Sequence, residues 1–326
     1  MKQFRPYGRV VFDYETMGLE VWLGKARPFL LGLEDEKGQV LIARPGTANW
    51  AQAMKVLKNP AIEKVGWNVK YDLSVSRYEG IETNGAVHDA MLMCYMNNEY
   101  EPNLKLKDVG RRHFGEACDE EIEVKKFLST TKRKEKREVN YSDLPKELVE
   151  RYLEKDLDLT LKSLWKFEHV MKGGQRRVYD IERKLIPNVI EIERWGIHID
   201  VKYCKKIMQE LRPRKENLVK KLVDLAGINF NIASPTQLSM VLESQGIDTG
   251  QRNKRGEMVA DSDSLRRFHG RPFIDTLLEW RSIQKVDKTY FENFISNAKD
   301  EVIHPSFWPF GQESGGIKTG RFSCTK

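Results

Sequence analysis

Cysteine is scarce and scattered. Cys94, Cys118, Cys204 and Cys324 are the four in 326 residues, with no Cys-x-x-Cys pair and no His at a zinc spacing. A disulfide framework and a structural zinc are thereby excluded, and a reducing, cytoplasmic setting is expected. Long apolar runs are also missing. No stretch of about 18 apolar residues occurs, and the N-terminus has no signal-like segment, so neither a membrane-spanning helix nor secretion is expected. Internal repeats and low-complexity segments are absent, which excludes collagen-like and disordered architectures. Charge, by contrast, is plentiful: 32% of residues are charged, with a net +7. Acids and bases nearly balance over residues 1–172, so nearly all of the surplus falls over 173–326. Such a surplus favours nucleic acid as a partner, and the length suggests two domains.

The first 170 residues read as strands mixed with helices. Arg9–Phe12 runs apolar into Asp13, and Phe29–Leu33 and Gln39–Ala43 follow across a Glu-Lys-Gly turn at 36–38, which predicts a hairpin. Three strands in sequence open an α/β or α+β sheet. Helical periodicity starts near Thr47 and returns over Tyr71–Tyr78, Asp89–Met96, Leu104–Phe114 and Leu148–Phe167. Asp89 is expected to cap its helix, beside a partly buried His88. Lys132–Glu138 reads as a solvated, charged loop. Gly173-Gly174 ends the balanced half, and the rest is mostly helical. Pro187 predicts a kink within Arg177–Arg194, and Pro213 a bend or break within Val201–Leu225. Ser234-Pro235 and Asp261 are expected to start further helices.

Acidic residues form the chemical signal. Asp13 and Glu15 are two apart at a strand end and so point to one side, where only a cation relieves their repulsion. Val65–Asp72 predicts a strand leading into a helix, with Asn68 and Asp72 four apart on one face. Tyr152 and Asp156 share that spacing on a helix whose other face holds Leu153, Leu157, Leu161 and Leu164. Helical phase alone leaves Asp156 and Asp158 as alternatives, and the Tyr spacing favours Asp156. Four carboxylates from three segments, with a Tyr to orient water, suit a two-metal phosphodiester-hydrolysing centre. Carboxylate and water ligands suit two divalent cations, Mg²⁺ or Mn²⁺, rather than zinc.

These segments resemble the three motifs of DnaQ-like (DEDD) 3′–5′ exonucleases of the Tyr-containing subgroup, over about residues 8–170. Asp13 and Glu15 match the first motif, Asp72 the second and Tyr152 with Asp156 the third. The resemblance implies an α/β, ribonuclease H-like domain with a mixed sheet flanked by helices. It makes Asp13, Glu15, Asp72, Tyr152 and Asp156 catalytic, with the four carboxylates as metal ligands. Leu19 stands where related proofreading domains set a Leu against the terminal bases of single-stranded DNA, and ordinary loop packing is its other reading. Thr16 and Asn68 are further candidates for substrate contact.

The second half resembles family A (polymerase I-like) DNA polymerases. The resemblance is carried by Ile186–Asp200, by Phe230-Asn-Ile-Ala-Ser-Pro-Thr-Gln-Leu238, by Leu278-Glu-Trp-Arg281 with Lys285 and Thr289-Tyr290, and by Thr319-Gly-Arg-Phe-Ser323. It implies domains over residues 1–172 (exonuclease), 173–310 (a mainly helical, thumb-like DNA-binding region) and 311–326 (the start of a palm). Duplex DNA is the implied partner of the thumb, gripped through phosphates by residues such as Lys202, Lys205, Lys206, Arg212, Arg214 and Lys215. Arg321 is implied to reach the primer–template minor groove. In this family the polymerase metal ligands follow the Thr-Gly-Arg segment, so no nucleotide addition is expected from these 326 residues by themselves. The expected function is a proofreading 3′–5′ exodeoxyribonuclease. The alternatives are the DNA-binding half of a split polymerase that needs a C-terminal fragment as partner, and an RNA-trimming nuclease of the same motif class. The lack of a 5′-nuclease region ahead of residue 8 resembles phage enzymes.

Overall fold

In the computed structural model, which describes residues 4–309 and 321–325, β1 (Arg9–Thr16) is the central strand of a five-stranded sheet. β2 (Pro28–Asp35) pairs antiparallel with β1, and β3 (Val40–Ala43) pairs antiparallel with β2 across the expected hairpin. Gly38 supplies the positive φ of +74° that this turn requires. β4 (Glu63–Gly66) runs parallel to β1, and β5 (Val87–Asp89) parallel to β4, giving the order β3-β2-β1-β4-β5. Parallel pairing needs crossovers, and α1 (Ala48–Lys58) and α2 (Val69–Tyr78) provide them.

Alternation along β1 separates two cores. Val10, Phe12 and Tyr14 pack with Val56 and Leu57 of α1 and Val69 and Val75 of α2. Val11 faces the opposite layer, made by α3 (Ala90–Asn97), α4 (Leu106–Phe114), α5 (Asp119–Glu135) and α6 (Lys146–Val170). There α6 lays Leu153, Leu157, Leu161 and Leu164 against the sheet, each fully or almost fully buried. Each such leucine contributes about 1.5–3 kcal/mol of transfer free energy. Gly32 permits this approach. It lies opposite Asp13 in the β1–β2 register, and a Cβ there would stand 2.7 Å from Leu157 Cδ1 and 2.9 Å from Leu153 Cγ.

Four details differ from the sequence reading. Lys132–Glu135 is not loop but the last turn of α5, because its acidic first turn and basic last turn suit the helix dipole. Lys136 then ends that helix at a φ of +52°. Asn68 is not on the helix with Asp72; it precedes α2 in a left-handed conformation, φ +58°. Pro213 does not divide its helix; the Pro187 expected to kink its helix lies inside α7 (Gly173–Trp195). Finally, the chain divides into units Met1–Gly196 with His304–Lys326, and Ile197–Ile303, rather than at 172/173 and 310/311.

The reason is packing. Ile186 and Ile190 of α7 join the core beneath β1. Glu193 of α7 forms a buried ion pair with Lys70 of α2 and accepts the Phe307 N–H at 2.7 Å, which ties the returning segment to the first unit.

The second unit comprises β6 (Ile197–His198), α8 (Val201–Ala226), α9 (Pro235–Ser244), α10 (Ser262–Arg266), α11 (Pro272–Gln284), a π-helical stretch Lys285–Glu292, α12 (Asn293–Asn297) and β7 (Val302–Ile303). Leu218, Leu222, Leu238, Leu242, Leu277 and Trp280 centre its core. Ser234 and Asp261 cap α9 and α10 as the sequence predicts. In the first unit, β8 (Ser306–Trp308) pairs with β9 (Ser323–Thr325). Thr319, Gly320 and most of residues 311–326 lie outside the described residues. No described helix is long and apolar enough to cross a membrane.

Candidate active site

β1 outruns β4, whose pairing with it ends at Val11. The Tyr14 N–H therefore needs another acceptor, and Asp72 Oδ1 of α2 takes it at 3.0 Å. Asp72 is thus pinned to the residue between Asp13 and Glu15. From the opposite layer α6 brings Asp156. Carboxylate oxygens of Asp13, Glu15 and Asp156 all lie within 4.8 Å of one another. The two candidates on α6 are placed differently: Asp156 is buried among the acids, whereas Asp158 pairs with Lys162 at 2.9 Å.

Crowding buried carboxylates has an electrostatic consequence. Burial first, then the Asp72, Asp156 and Glu15 charges, push the Asp13 carboxyl well above its ordinary range. Glu15 is raised by burial and then by Asp156. Burial lifts Asp72 to about 8 against the pull of the Tyr14 N–H, and lifts Asp156 to about 6 against the pull of Lys107. An all-oxygen donor set that repels itself is what a hard divalent cation relieves, so these residues fit Mg²⁺ or Mn²⁺. By contrast, in the Cys94, Glu101 and His113 group Glu101 is engaged by Arg112 at 2.8 Å, and burial pushes the Cys94 thiol up to about 12.

Tyr152 stands one helical turn before Asp156 and packs edge-on against Tyr141, ring centroids 5.4 Å apart. Burial and then the Asp156 charge raise its hydroxyl pKa, so it stays a proton donor. Sequence reasoning missed Tyr141, and it missed Lys107, whose Nζ lies 2.8 Å from Asp156 Oδ1. Neither has a local signal. A cleft of about 1130 Å³ opens over the acids, lined by Asp13, Asn68, Tyr152, Asp156, Trp67 and Trp308.

The substrate candidates fall in different places. Asn68 lines the cleft. Thr16 is turned to Tyr71 Oη at 2.6 Å and the Gly18 carbonyl at 2.7 Å. Leu19 is 81% exposed and borders a separate cavity of about 210 Å³ that also touches Asn68 and Trp308. Arg321 is exposed and does not line the cleft. On α8, Arg214 and Lys215 are engaged by Glu279 at 2.6 Å and Asp287 at 2.6 Å, while Lys202, Lys205 and Arg212 are exposed.

Asp89 holds the scaffold. Its carboxylate accepts the N–H groups of Asn68 (3.2 Å), Val69 (3.0 Å), Met91 (2.9 Å) and Leu92 (3.1 Å), capping α3 and anchoring the start of α2. His88 beside it contacts the Tyr179 hydroxyl at 3.2 Å. Asp89→Ala strands buried donors and is expected to cost roughly 3–5 kcal/mol, measured by urea unfolding. A loss under about 1 kcal/mol would contradict the anchoring role.

Residues 1–167, which hold this sheet and the acid cluster on its central strand, match the family described as 3′–5′ exonuclease. Residues 201–326 match DNA polymerase family A. The chain belongs to the family A DNA polymerases, with a 3′–5′ exonuclease domain followed by part of a polymerase domain. It is 26% identical over 346 residues to DNA polymerase DpoZ of Vibrio phage phiVC8, covering 96% of this chain and 53% of the relative. With DNA polymerase I of Synechocystis sp. it is 28% identical over 280 residues, covering 83% of this chain and 27% of that protein. It therefore spans about half the length of the phage relative and about a quarter of the bacterial one. Its fold is shared with the POL domain of Pol1 from M. smegmatis, solved in complex with DNA primer-template and dNTP. The TM-score is 0.70 at 20% identity, over 98% of this chain and 51% of that one.

Proposed function

We propose that the first unit is a proofreading 3′–5′ exodeoxyribonuclease that releases nucleoside monophosphates from single-stranded DNA ends. The convergence of Asp13, Glu15 and Asp156 beside Tyr152 under an open cleft carries this reading. Asp13, Glu15, Asp72 and Asp156 would hold the divalent cations. When bound, those cations supply Lewis acidity and charge neutralisation for in-line displacement at phosphorus. The chain's own residues orient the reactants. Tyr152 keeps its proton and offers it as a hydrogen bond that aims an attacking water. The water oxygen bonds to phosphorus as the bond to the neighbouring 3′ oxygen breaks; the water gives up a proton to solvent, and the departing 3′ oxygen takes one from solvent to become a 3′ hydroxyl.

DNA is favoured over RNA because the relatives are DNA polymerases and the structural relative holds a DNA primer-template. We read the second unit as a duplex-binding thumb, with the exposed Lys202, Lys205 and Arg212 as phosphate contacts.

The test is a 5′-labelled primer–template with a mismatched 3′ end, incubated with Mg²⁺. The primer should shorten stepwise from its 3′ end, and EDTA should stop it. An RNA strand of the same sequence should be trimmed at least about tenfold more slowly, given how a site built around one sugar rejects another. Equal rates would overturn the DNA assignment, and no shortening would overturn the nuclease.

A further inference from the structure

Lys107 lies in the first turn of α4 with its side chain 5% exposed. Burying an ammonium is costly unless it is paired, and this one is paired twice. Its Nζ is 2.8 Å from Asp156 Oδ1 and 2.9 Å from Glu120 Oε1 of α5, and it sits over the Tyr152 ring at 4.4 Å from the centroid. One cation therefore touches both functional side chains of α6, backed by an acid from a third helix. Its depth is enforced: a Cβ on Gly110 of the same helix would lie 2.9 Å from Leu159 Cδ2, so α4 sits hard against α6.

We propose that Lys107 is a resident counter-ion of the carboxylate centre, a positioning residue that holds Asp156 and Tyr152 in place and sets how tightly a divalent cation binds there. Glu120 tunes it. This rests on reading Asp13, Glu15, Asp72 and Asp156 as the cation site. Before a cation arrives, the ammonium offsets part of the repulsion among the acids. Once one arrives, the like charge weakens its binding. Glu120 takes a share of the ammonium's field, so losing Glu120 turns more of that field on the site. The buried Nζ contacts the acids, so it acts through them.

The two partners predict opposite signs. In the full chain without DNA, Mn²⁺ binding followed by electron paramagnetic resonance should tighten at least about tenfold in Lys107→Met, the scale of one nearby charge at a protein-like dielectric. In Glu120→Gln it should weaken. Lys107→Met should melt lower than the parent in EDTA and gain more from added Mn²⁺. On a single-stranded oligonucleotide its kcat should fall roughly tenfold or more, with KM within about twofold, because positioning is lost and not substrate grip. Lys107→Arg should restore Mn²⁺ affinity to the parent range.

Mn²⁺ affinity unchanged in both variants, or shifted in the same direction, would overturn the inference. So would a raised KM at constant kcat, which would make Lys107 a phosphate contact. Should Lys107→Met fail to fold, Glu120→Gln decides alone: weakened Mn²⁺ binding supports the proposal, and unchanged or tightened binding overturns it. Failure of the underlying function looks different. A parent chain that binds Mn²⁺ but releases no nucleotide refutes the nuclease and leaves the charge comparison intact.

Discussion

Asp13→Ala is expected to lose 3′–5′ hydrolysis by roughly a thousandfold or more, because groups acting as one unit forfeit most of their effect when any one is removed. Its carboxylate belongs to the trio within 4.8 Å and carries the repulsion of Asp72, Asp156 and Glu15. The substitution therefore separates chemistry from folding. On the proposed reading it removes a cation ligand, and it also removes a charge that the crowded acids disfavour. Melting in EDTA should be unchanged or higher than the parent's, while primer shortening in Mg²⁺ nearly stops. A parent-like rate would show that the acids on β1 are not the reacting centre. A collapsed melting temperature would show that Asp13 is structural.

Gly32→Val tests the same site from behind. The added Cβ would fall 2.7 Å from Leu157 Cδ1 and 2.9 Å from Leu153 Cγ, closer than carbon atoms pack. Overpacking of this kind costs about 1–3 kcal/mol, sometimes more. Relief comes by lifting α6, and α6 carries Tyr152 and Asp156. A misplacement near 1 Å is worth on the order of a hundredfold in rate. The expected result is a urea midpoint shifted down together with a hundredfold slower exonuclease, although Gly32 is a glycine with no functional group. Stability lost at a parent-like rate would mean that the helix repacks without moving its acid. The pair of substitutions thus distinguishes a lost ligand from a displaced one.

Much of the site was legible because its signals are local. The two-residue period of a strand puts Asp13 and Glu15 on one side, and the four-residue helical turn puts Tyr152 beside Asp156. Gly38 in the hairpin, Ser234 and Asp261 as caps, and Asp89 before α3 are equally local, since each satisfies a neighbour's backbone. Asn68 misled for the same reason. Spacing of four reads as a helical face, but the chain turns left-handed there before α2 begins. The charged run from Lys132 also misled, because solvation suits an exposed helix end as well as a loop.

The sequence by itself determined the residue types and their local geometry: an α/β half with four carboxylates and a Tyr, a basic helical half, and the family both resemble. Tertiary structure alone decided which groups meet. Asp156 rather than Asp158 faces the acids because the leucines of α6 turn that side to the sheet. Lys107 and Tyr141 reach Asp156 and Tyr152 from other elements of the fold, and Glu120 reaches Lys107 from a third, where no periodicity links them. α7 joins the first unit because Ile186, Ile190 and Glu193 are buried there, although charge balance ends at Gly173. Periodicity is a property of neighbours along the chain. A carboxylate site is a property of packing, which exists only once distant segments share a core.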